Sequence, residues 1–156
     1  MITTDRDGEP LLPRPVAVQD TVAIVSDPWS FALLMEAYFG VHRFEDFQHN
    51  LAISRNVLTK RLGRLVEEEI LQRDLYQRRP DRYEYHLTPK GRALYPIFLA
   101  IQRWGEEWLP GAVPTAWHMV HTTCGSRTAP RMACDVCERP VTVSEIRLIP
   151  NDADHA

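Results

Sequence analysis

The sequence has few cysteines and none before residue 124. Its 156 residues include three, all between residues 124 and 137. An odd number in one short stretch does not make a disulfide framework, so a reducing compartment is expected. No run of eighteen apolar residues occurs, and the acidic start MITTDRDGEPLLPRP lacks the basic and apolar segments of a signal peptide. We therefore expect a cytoplasmic protein without a membrane partner.

The motifs of common enzyme sites are also missing. The sequence has no glycine-rich phosphate loop, no nucleophile turn of the G-x-S-x-G type and no evident acid-base pair. The three consecutive glutamates at 67–69 are interpreted as a solvated charge run near a helix end. These absences predict that the protein is not an enzyme.

An excess of positive charge is lacking as well, since the formal net charge is -3. The basic side chains are nevertheless concentrated in one part of the chain. Residues 54–92 hold ten Lys or Arg and six Asp or Glu, whereas residues 1–53 hold three and eight. Docking on phosphates depends on the local field more than on total charge, so this distribution is compatible with nucleic-acid binding.

The stretch Ile53–Leu71 has two faces of opposite character. Its apolar residues recur at helical spacing and predict an amphipathic helix over 54–69, which we interpret as a DNA-reading helix. Ser54 is suited to the N-cap, so the helix is expected to begin near Arg55. The opposite face is polar and basic, and its candidate DNA contacts are Arg55, Asn56, Thr59, Lys60 and Arg64.

A second amphipathic stretch, Arg43–Leu51, ends just before this helix. Two closely spaced helices of this kind predict a helix-turn-helix, in which the second helix enters the major groove and the first crosses the backbone. A basic helix face alone is more often a solvated surface. The order of helix, helix and basic hairpin is what favours DNA binding.

A hairpin is predicted because the spacing of the apolar residues changes after Leu71 from a helical repeat to alternation. Residues 72–77 and 83–87 alternate and carry aromatics, which is typical of half-buried strands. The turn between them supplies three arginines that would lie along phosphates or reach into a minor groove: Arg78, Arg79 and Arg82. A helix-turn-helix with this wing at 72–87 predicts a winged-helix fold, mainly α with a small β wing.

Further helices are expected on both sides of this unit. Residues 16–25 and 29–39 predict two helices before it, and Thr88-Pro89 and Pro96 open two more after it. The last helix has an apolar side that we interpret as a dimer interface, because symmetric DNA readers are usually twofold dimers. Its candidate interface residues are Ile97, Ile101, Trp104 and Trp108. Residues 16–109 are therefore predicted to form one DNA-binding and dimerisation domain, after a flexible arm at 1–15.

Residues 110–150 are predicted to form a small β tail that resembles a zinc ribbon, followed by a disordered end at 151–156. His121-x2-Cys124 and Cys134-x2-Cys137 are two pairs, each able to offer two ligands to one tetrahedral ion from a tight turn. A zinc with these four ligands would be closed and structural rather than catalytic. His118 competes with His121 for the fourth position. A metal-free hairpin with reduced thiols and a Cys134–Cys137 redox pair are the alternatives.

The order of these parts resembles the HxlR-type bacterial transcription regulators, which are winged-helix relatives of the MarR group. The resemblance runs from about Val18 to Leu109. It rests on Asp27-Pro28-Trp29, Arg43-Phe44-x2-Phe47, Ile53-Ser54-x2-Val57-Leu58-x2-Arg61-Leu62-x2-Leu65, Arg82-Tyr83-Glu84-Tyr85-x-Leu87-Thr88-x2-Gly91, Leu94-x-Pro96 and Trp104-Gly105.

This resemblance implies a homodimer joined through its first and last helices, which adds Val18 and Val22 to the interface. It also implies binding to pseudo-palindromic double-stranded operators, usually with repression. Members that sense thiol-reactive stress carry a cysteine just before the first helix, and this chain has none there. A winged-helix protein-interaction module that does not bind DNA, and a metal- or thiol-responsive regulator acting through the tail, are the alternative hypotheses.

Overall fold

The computed structural model describes residues 16–109, 118–129 and 131–146 of the chain. These residues fall into two compact units, Asp20–Pro130 and a smaller one that combines Met1–Gln19 with Arg131–Ala156. The arm predicted at 1–15 and the end predicted at 151–156 lie outside the described residues. None of the helices in the described ranges is long and apolar enough to cross a bilayer.

The described helices follow the order expected for a winged helix. They are α1 (Val16–Val25), α2 (Pro28–Tyr38), α3 (Phe44–Leu51), α4 (Arg55–Glu67), α5 (Pro89–Ala93) and α6 (Tyr95–Trp108). The strands are β1 (Leu71–Gln77), β2 (Arg82–Leu87), β3 (Val120–His121) and β4 (Ser126–Arg127), and a short 3-10 helix spans Val143–Glu145. The described chain is therefore mainly helical with two small antiparallel sheets.

Helix α2 begins where the sequence supplies both an N-cap and a proline. The Asp27 carboxylate accepts a hydrogen bond from the backbone N–H of Ser30 at 2.8 Å, and Pro28 occupies the first turn, where its missing N–H costs nothing. The Ser54 hydroxyl in the same way accepts from the N–H of Val57 at the start of α4. Helix α3 ends at Leu51, and its C-cap residue Ala52 has a left-handed backbone at the turn into α4.

The core lies among α2, α3, α4, α6 and the start of the wing. Its largest fully buried side chains are Phe47, Leu33, Leu34, Leu58, Leu62, Leu65, Ile70 and Leu71. Full burial of each such side chain stabilises the fold by about 1.5–3 kcal/mol. Since Leu58, Leu62 and Leu65 all lie on one side of α4, this packing fixes which face of the helix remains in solvent.

The C-terminal end of α4 differs from the prediction. We expected helix through 69, but α4 ends at Glu67, because Glu69 takes a left-handed backbone with φ of 56°. The N–H of Ile70 then bonds to the Leu65 carbonyl at 2.9 Å, which closes the helix. The hydroxyl of Thr88 donates to the Glu69 carbonyl at 2.6 Å and holds this turn from outside the helix.

The wing is an antiparallel hairpin of β1 and β2 that pairs from Leu71 opposite Leu87 outward, with an irregularity between Leu75 and Gln77. The chain before α3 extends this sheet, since the N–H of Tyr85 donates to the His42 carbonyl at 2.8 Å. The wing is therefore joined to the helix-turn-helix by backbone pairing as well as by the core.

Helices α5 and α6 form as the prolines predict. The Thr88 hydroxyl caps α5 by accepting from the N–H of Gly91 at 3.0 Å. Pro96 lies in the first turn of α6, so it restarts a helix at Tyr95 rather than continuing α5. In the tail, β3 and β4, each two residues long, pair as an antiparallel hairpin. In the smaller unit, Ala133 and Pro140 form an isolated antiparallel β-bridge. That the tail forms a zinc ribbon stays a prediction.

Candidate nucleic-acid interface

The first two turns of α4 present a polar surface to solvent. Arg55, Asn56, Thr59 and Lys60 are all exposed, while Leu58 between them is fully buried. The buried leucine holds the helix against the core and turns its neighbours outward. Four of the five α4 residues predicted to contact DNA thus lie together on one accessible face.

The fifth residue, Arg64, is held differently. Its Nη2 donates to the carbonyl oxygen of Ala23 in α1 at 2.9 Å, and the residue is only partly exposed. One turn earlier, Arg61 Nη2 lies 2.7 Å from Asp27 Oδ1 at the start of α2. These two arginines connect the C-terminal half of α4 to the α1–α2 junction.

Asp27 is the acceptor that organises this junction. Burial disfavours its charged form, but the hydrogen bonds from Ser30 and the guanidinium groups of Arg61 and Arg64 outweigh that effect, so the pKa of Asp27 lies below its usual value. The carboxylate is therefore charged at neutral pH and serves both as the cap of α2 and as the partner of Arg61.

Two basic side chains are positioned by aromatic rings next to this face. The guanidinium of Arg55 lies over the Phe44 ring of α3 at 5.0 Å from the centroid. That of Arg43 lies over the Tyr76 ring of β1 at 4.9 Å and pairs with Glu84 Oε1 at 3.0 Å. The hydrogen bond to Glu84 raises the pKa of Arg43 and lowers that of the Glu84 carboxyl. Sequence reasoning did not assign a role to Arg43.

The wing carries its basic residues at the tip and on one strand. The three wing arginines for which phosphate contacts are predicted, Arg78, Arg79 and Arg82, are exposed around the turn. Arg73 on β1 was not singled out, yet its guanidinium lies over the Tyr83 ring of β2 at 4.3 Å. A cross-strand cation–π contact of this kind holds a positive charge on the hairpin surface without neutralising it.

The apolar side of α6 is in solvent. Ile97, Ile101, Trp104 and Trp108 are 41% to 64% exposed, and Val18 and Val22 of α1 are 59% and 51% exposed. Large apolar side chains grouped in solvent are unusual in a monomer and often mark an interaction surface.

The tail cysteines are free thiols, with Cys124 and Cys137 exposed and Cys134 partly so. Cys124 Sγ lies 3.3 Å from His121 Nδ1, and hydrogen bonds from Ser126 lower the pKa of the Cys124 thiol. Backbone N–H groups of Cys137 and Val136 lower the pKa of Cys134 in the same way. In neither unit do the described residues bring together three or more His, Cys, Asp or Glu side chains as a metal site.

An exposed polar helix face, a preceding helix set close to it and a basic β-hairpin together define a winged helix-turn-helix of the DNA-binding class. Comparison with known proteins agrees, since residues 24–112 match the model of the HxlR-like helix-turn-helix family. The chain belongs to this family and is a transcriptional regulator.

Similar proteins include an HTH-type transcriptional regulator of Mycobacterium tuberculosis, 35% identical over 130 residues that cover 83% of this chain and 82% of the relative. The HTH-type regulator YvaP of Bacillus subtilis is 36% identical over 92 residues, 58% of this chain and 85% of YvaP. Among solved structures, PA1607, a proposed transcription factor, superposes with a TM-score of 0.73 at 28% identity, covering 89% of this chain and 96% of that one.

Proposed function

We propose that the protein is a homodimeric repressor that binds a pseudo-palindromic operator. The observation that carries this proposal is the division of α4 into two halves. Its first two turns expose Arg55, Asn56, Thr59 and Lys60, while its later arginines are committed to the α1–α2 junction. The exposed half is the part of a recognition helix that reaches base edges in the major groove.

The exposed side chains have complementary roles. Arg55 and Lys60 would pair with guanine or nearby phosphates and Asn56 with adenine, and each good bidentate contact contributes about 1–3 kcal/mol of discrimination. Arg78, Arg79 and Arg82 would hold the backbone through the wing. Phosphate contacts position the protein without reading the sequence, so helix and wing variants should fail in different ways.

The test exploits that difference. An operator selected from a random duplex pool is titrated at several salt concentrations with the Asn56→Ala and the Arg78→Ala/Arg79→Ala variants. The wing variant should weaken binding to all sequences and reduce the slope of log K against log salt by about 2. Asn56→Ala should relax sequence preference with little change in slope. Arg127→Ala, which removes an exposed arginine outside the wing, is the matched control.

If the double wing variant and the control bind alike at every salt concentration, the wing does not contact DNA. If the wild-type chain shows no salt-dependent binding to any duplex, DNA binding itself is wrong and the protein-interaction module takes its place.

The dimer is proposed to form through α6 and α1, because their exposed apolar side chains need a covering surface. Ile101→Asp places a charge in the centre of that face and should convert the dimer into a monomer in sedimentation velocity runs. Glu107→Gln, on the same helix but outside the apolar face, should leave the assembly unchanged. A wild-type chain that sediments as a monomer at micromolar concentration would remove this part of the proposal.

Zinc in the tail is proposed as a structural ion with His121, Cys124, Cys134 and Cys137 as its ligands. Thiols whose pKa values are lowered by hydrogen bonds suit this metal, because zinc binds the thiolate. His121→Ala should lower the zinc content of the purified chain, whereas His118→Ala, the matched control, should not. The reverse pattern would assign His118 as the ligand. A change in operator affinity on chelation, without unfolding, would instead make the metal regulatory.

A further inference from the structure

Arg43 lies between the exposed half of α4 and the wing. It directly precedes Phe44, the first residue of α3, whose ring lies 5.0 Å from the guanidinium of Arg55. The guanidinium of Arg43 itself lies 4.9 Å from the centroid of the Tyr76 ring, two residues before Arg78 at the wing turn. Arg43 thus adjoins both surfaces that are proposed to contact DNA, at the start of the helix that crosses the backbone in a helix-turn-helix.

A carboxylate of the wing holds this guanidinium by one edge. Arg43 and Glu84 face each other across an antiparallel β-bridge, so their side chains leave the sheet on the same face. Arg43 Nε donates to Glu84 Oε1 at 3.0 Å. Among the described residues, no acceptor other than Glu84 meets the guanidinium, and 55% of the Arg43 side chain is exposed. The two Nη groups are therefore available to donate to a ligand.

The ion pair is not needed to join the wing to the chain before α3. The backbone already makes that junction, because the N–H of Tyr85 donates to the His42 carbonyl at 2.8 Å beside the bridge. An ion pair that is open to solvent also contributes little to folding stability. Glu84 Oε2 lies 3.5 Å from His86 Nε2, so this carboxylate keeps a second neighbour if Arg43 turns away.

The chemistry of the free edge of Arg43 fits a phosphate. A guanidinium donates two parallel N–H groups to a phosphate, and such charge-assisted bonds are stronger than neutral ones. The same guanidinium is partly neutralised by Glu84, whose negative charge would also lie near the phosphate. A single side chain of the wing therefore opposes a DNA contact that its neighbour can make.

We propose that Arg43 is a further contact to the DNA backbone, and that Glu84 weakens this contact by neutralising part of its charge. The pair then limits the affinity for duplex DNA of any sequence, because a phosphate contact carries no sequence information. This inference rests on the proposed function, since it adds one contact to a DNA-bound state.

The test is a double-mutant cycle on the full-length protein, with the affinity for duplex DNA measured by fluorescence anisotropy at several salt concentrations. Arg43→Gln removes the positive charge. Glu84→Gln removes the negative charge but keeps an acceptor for Arg43 Nε, so it isolates the effect of charge. One full phosphate contact changes log K by about 0.9 per tenfold change in salt, so Arg43→Gln should cost about eightfold at about 0.1 M salt once Glu84 is neutral.

The single variants should shift affinity in opposite directions. At about 0.1 M salt, Arg43→Gln should weaken binding about threefold and Glu84→Gln should strengthen it about threefold. The double variant should bind as Arg43→Gln does, and Arg43→Lys, which keeps the charge, should retain most of the salt dependence. The selected operator and an unrelated duplex should respond alike. Glu67→Gln, the control, neutralises an exposed carboxylate at the other end of α4 and should change nothing.

Three results would overturn the proposal. Equal gains from Glu84→Gln with and without Arg43 would mean that Glu84 repels DNA directly. Weaker binding by both single variants would make the pair a structural link, and Arg43→Gln binding like wild type would exclude the contact. Each of these results leaves the proposed function in place, whereas a wild-type chain that binds no duplex would refute the proposed function itself.

Discussion

Replacing Asp27 tests most directly how the α1–α2 junction holds α4 in place. Its carboxylate caps α2 through Ser30 at 2.8 Å and pairs with Arg61 of α4 at 2.7 Å. Both carboxylate and guanidinium are largely removed from solvent, with 18% and 25% of their side chains exposed. Asp27→Ala therefore removes a helix cap and leaves a partly buried guanidinium without its carboxylate.

The expected cost follows from these two losses. Loss of an N-cap costs about 1 kcal/mol, and loss of a hydrogen bond between charged groups costs about 1.5–3 kcal/mol before the remaining solvent exposure is discounted. We expect Asp27→Ala to lower the free energy of unfolding by about 2–3 kcal/mol. Asp27→Asn keeps an equally good cap but loses the charge, so it should cost about 1 kcal/mol less than Asp27→Ala.

Urea denaturation followed by far-UV circular dichroism, at one fixed protein concentration, measures both variants. Because the pKa of Asp27 is lowered in the folded state, its charge contributes stability above the unfolded pKa of about 4, and that contribution is lost as pH falls through the folded value. The difference between wild type and Asp27→Asn should accordingly shrink in acid. An Asp27→Ala variant within about 0.5 kcal/mol of wild type, the range of ordinary surface substitutions, would refute this account of the junction.

Three further changes probe the packing between α4, α5 and α2. Gly91→Ala should lower the melting temperature sharply, since its Cβ would lie 2.3 Å from the Ile70 carbonyl oxygen. The control Gly63→Ala places its Cβ within 4 Å of nothing and should stabilise α4 by up to about 1 kcal/mol. Equal melting temperatures for the two variants would contradict the close contact at Gly91. Thr88→Val should cost about 1–2 kcal/mol in urea, because it removes the cap of α5 and the bond to Glu69, and an unchanged midpoint would deny the hydroxyl this role. Burial raises the pKa of Tyr38 to about 12, so its hydroxyl should titrate well above the ordinary tyrosine value in ultraviolet absorbance, and stability should fall as pH rises from 10 toward 12. A Tyr38→Phe variant with an unaltered titration curve would refute the assignment.

The helix starts could be predicted because they depend on local chemistry. The bounds of α1 agree with the prediction, and Ser54 and Thr88 act as the N-caps that their side chains suggested, whereas the cap that Asp27 provides for α2 was not predicted. The end of α4 could not be predicted, because the left-handed residue there is Glu69 rather than glycine. Bonds from Thr88 and Lys90, about twenty residues away in sequence, hold that turn.

The exposed polar face of α4 was predictable in part, because it too depends on a local feature of the sequence. Helical periodicity separates the buried Leu58 from its exposed neighbours, and the structure agrees. Periodicity does not show that Arg64 meets the Ala23 carbonyl or that Arg61 meets Asp27, because both partners lie on elements whose positions depend on tertiary packing. A basic residue on an amphipathic helix can thus either face a DNA partner or bind an acceptor within the protein, and only the fold distinguishes these two cases.

The division of α4 also limits how much sequence information one protein copy can gather. The exposed stretch from Arg55 to Lys60 rises about 9 Å along the helix, which matches about three base pairs at 3.4 Å per step. A site of that length recurs by chance about once in every 64 base pairs, so even a dimer reading two such sites would meet about one chance match per four thousand. In a bacterial chromosome the proposed regulator would therefore have to gain selectivity from the fixed distance between half-sites and from the bendability of the DNA between them.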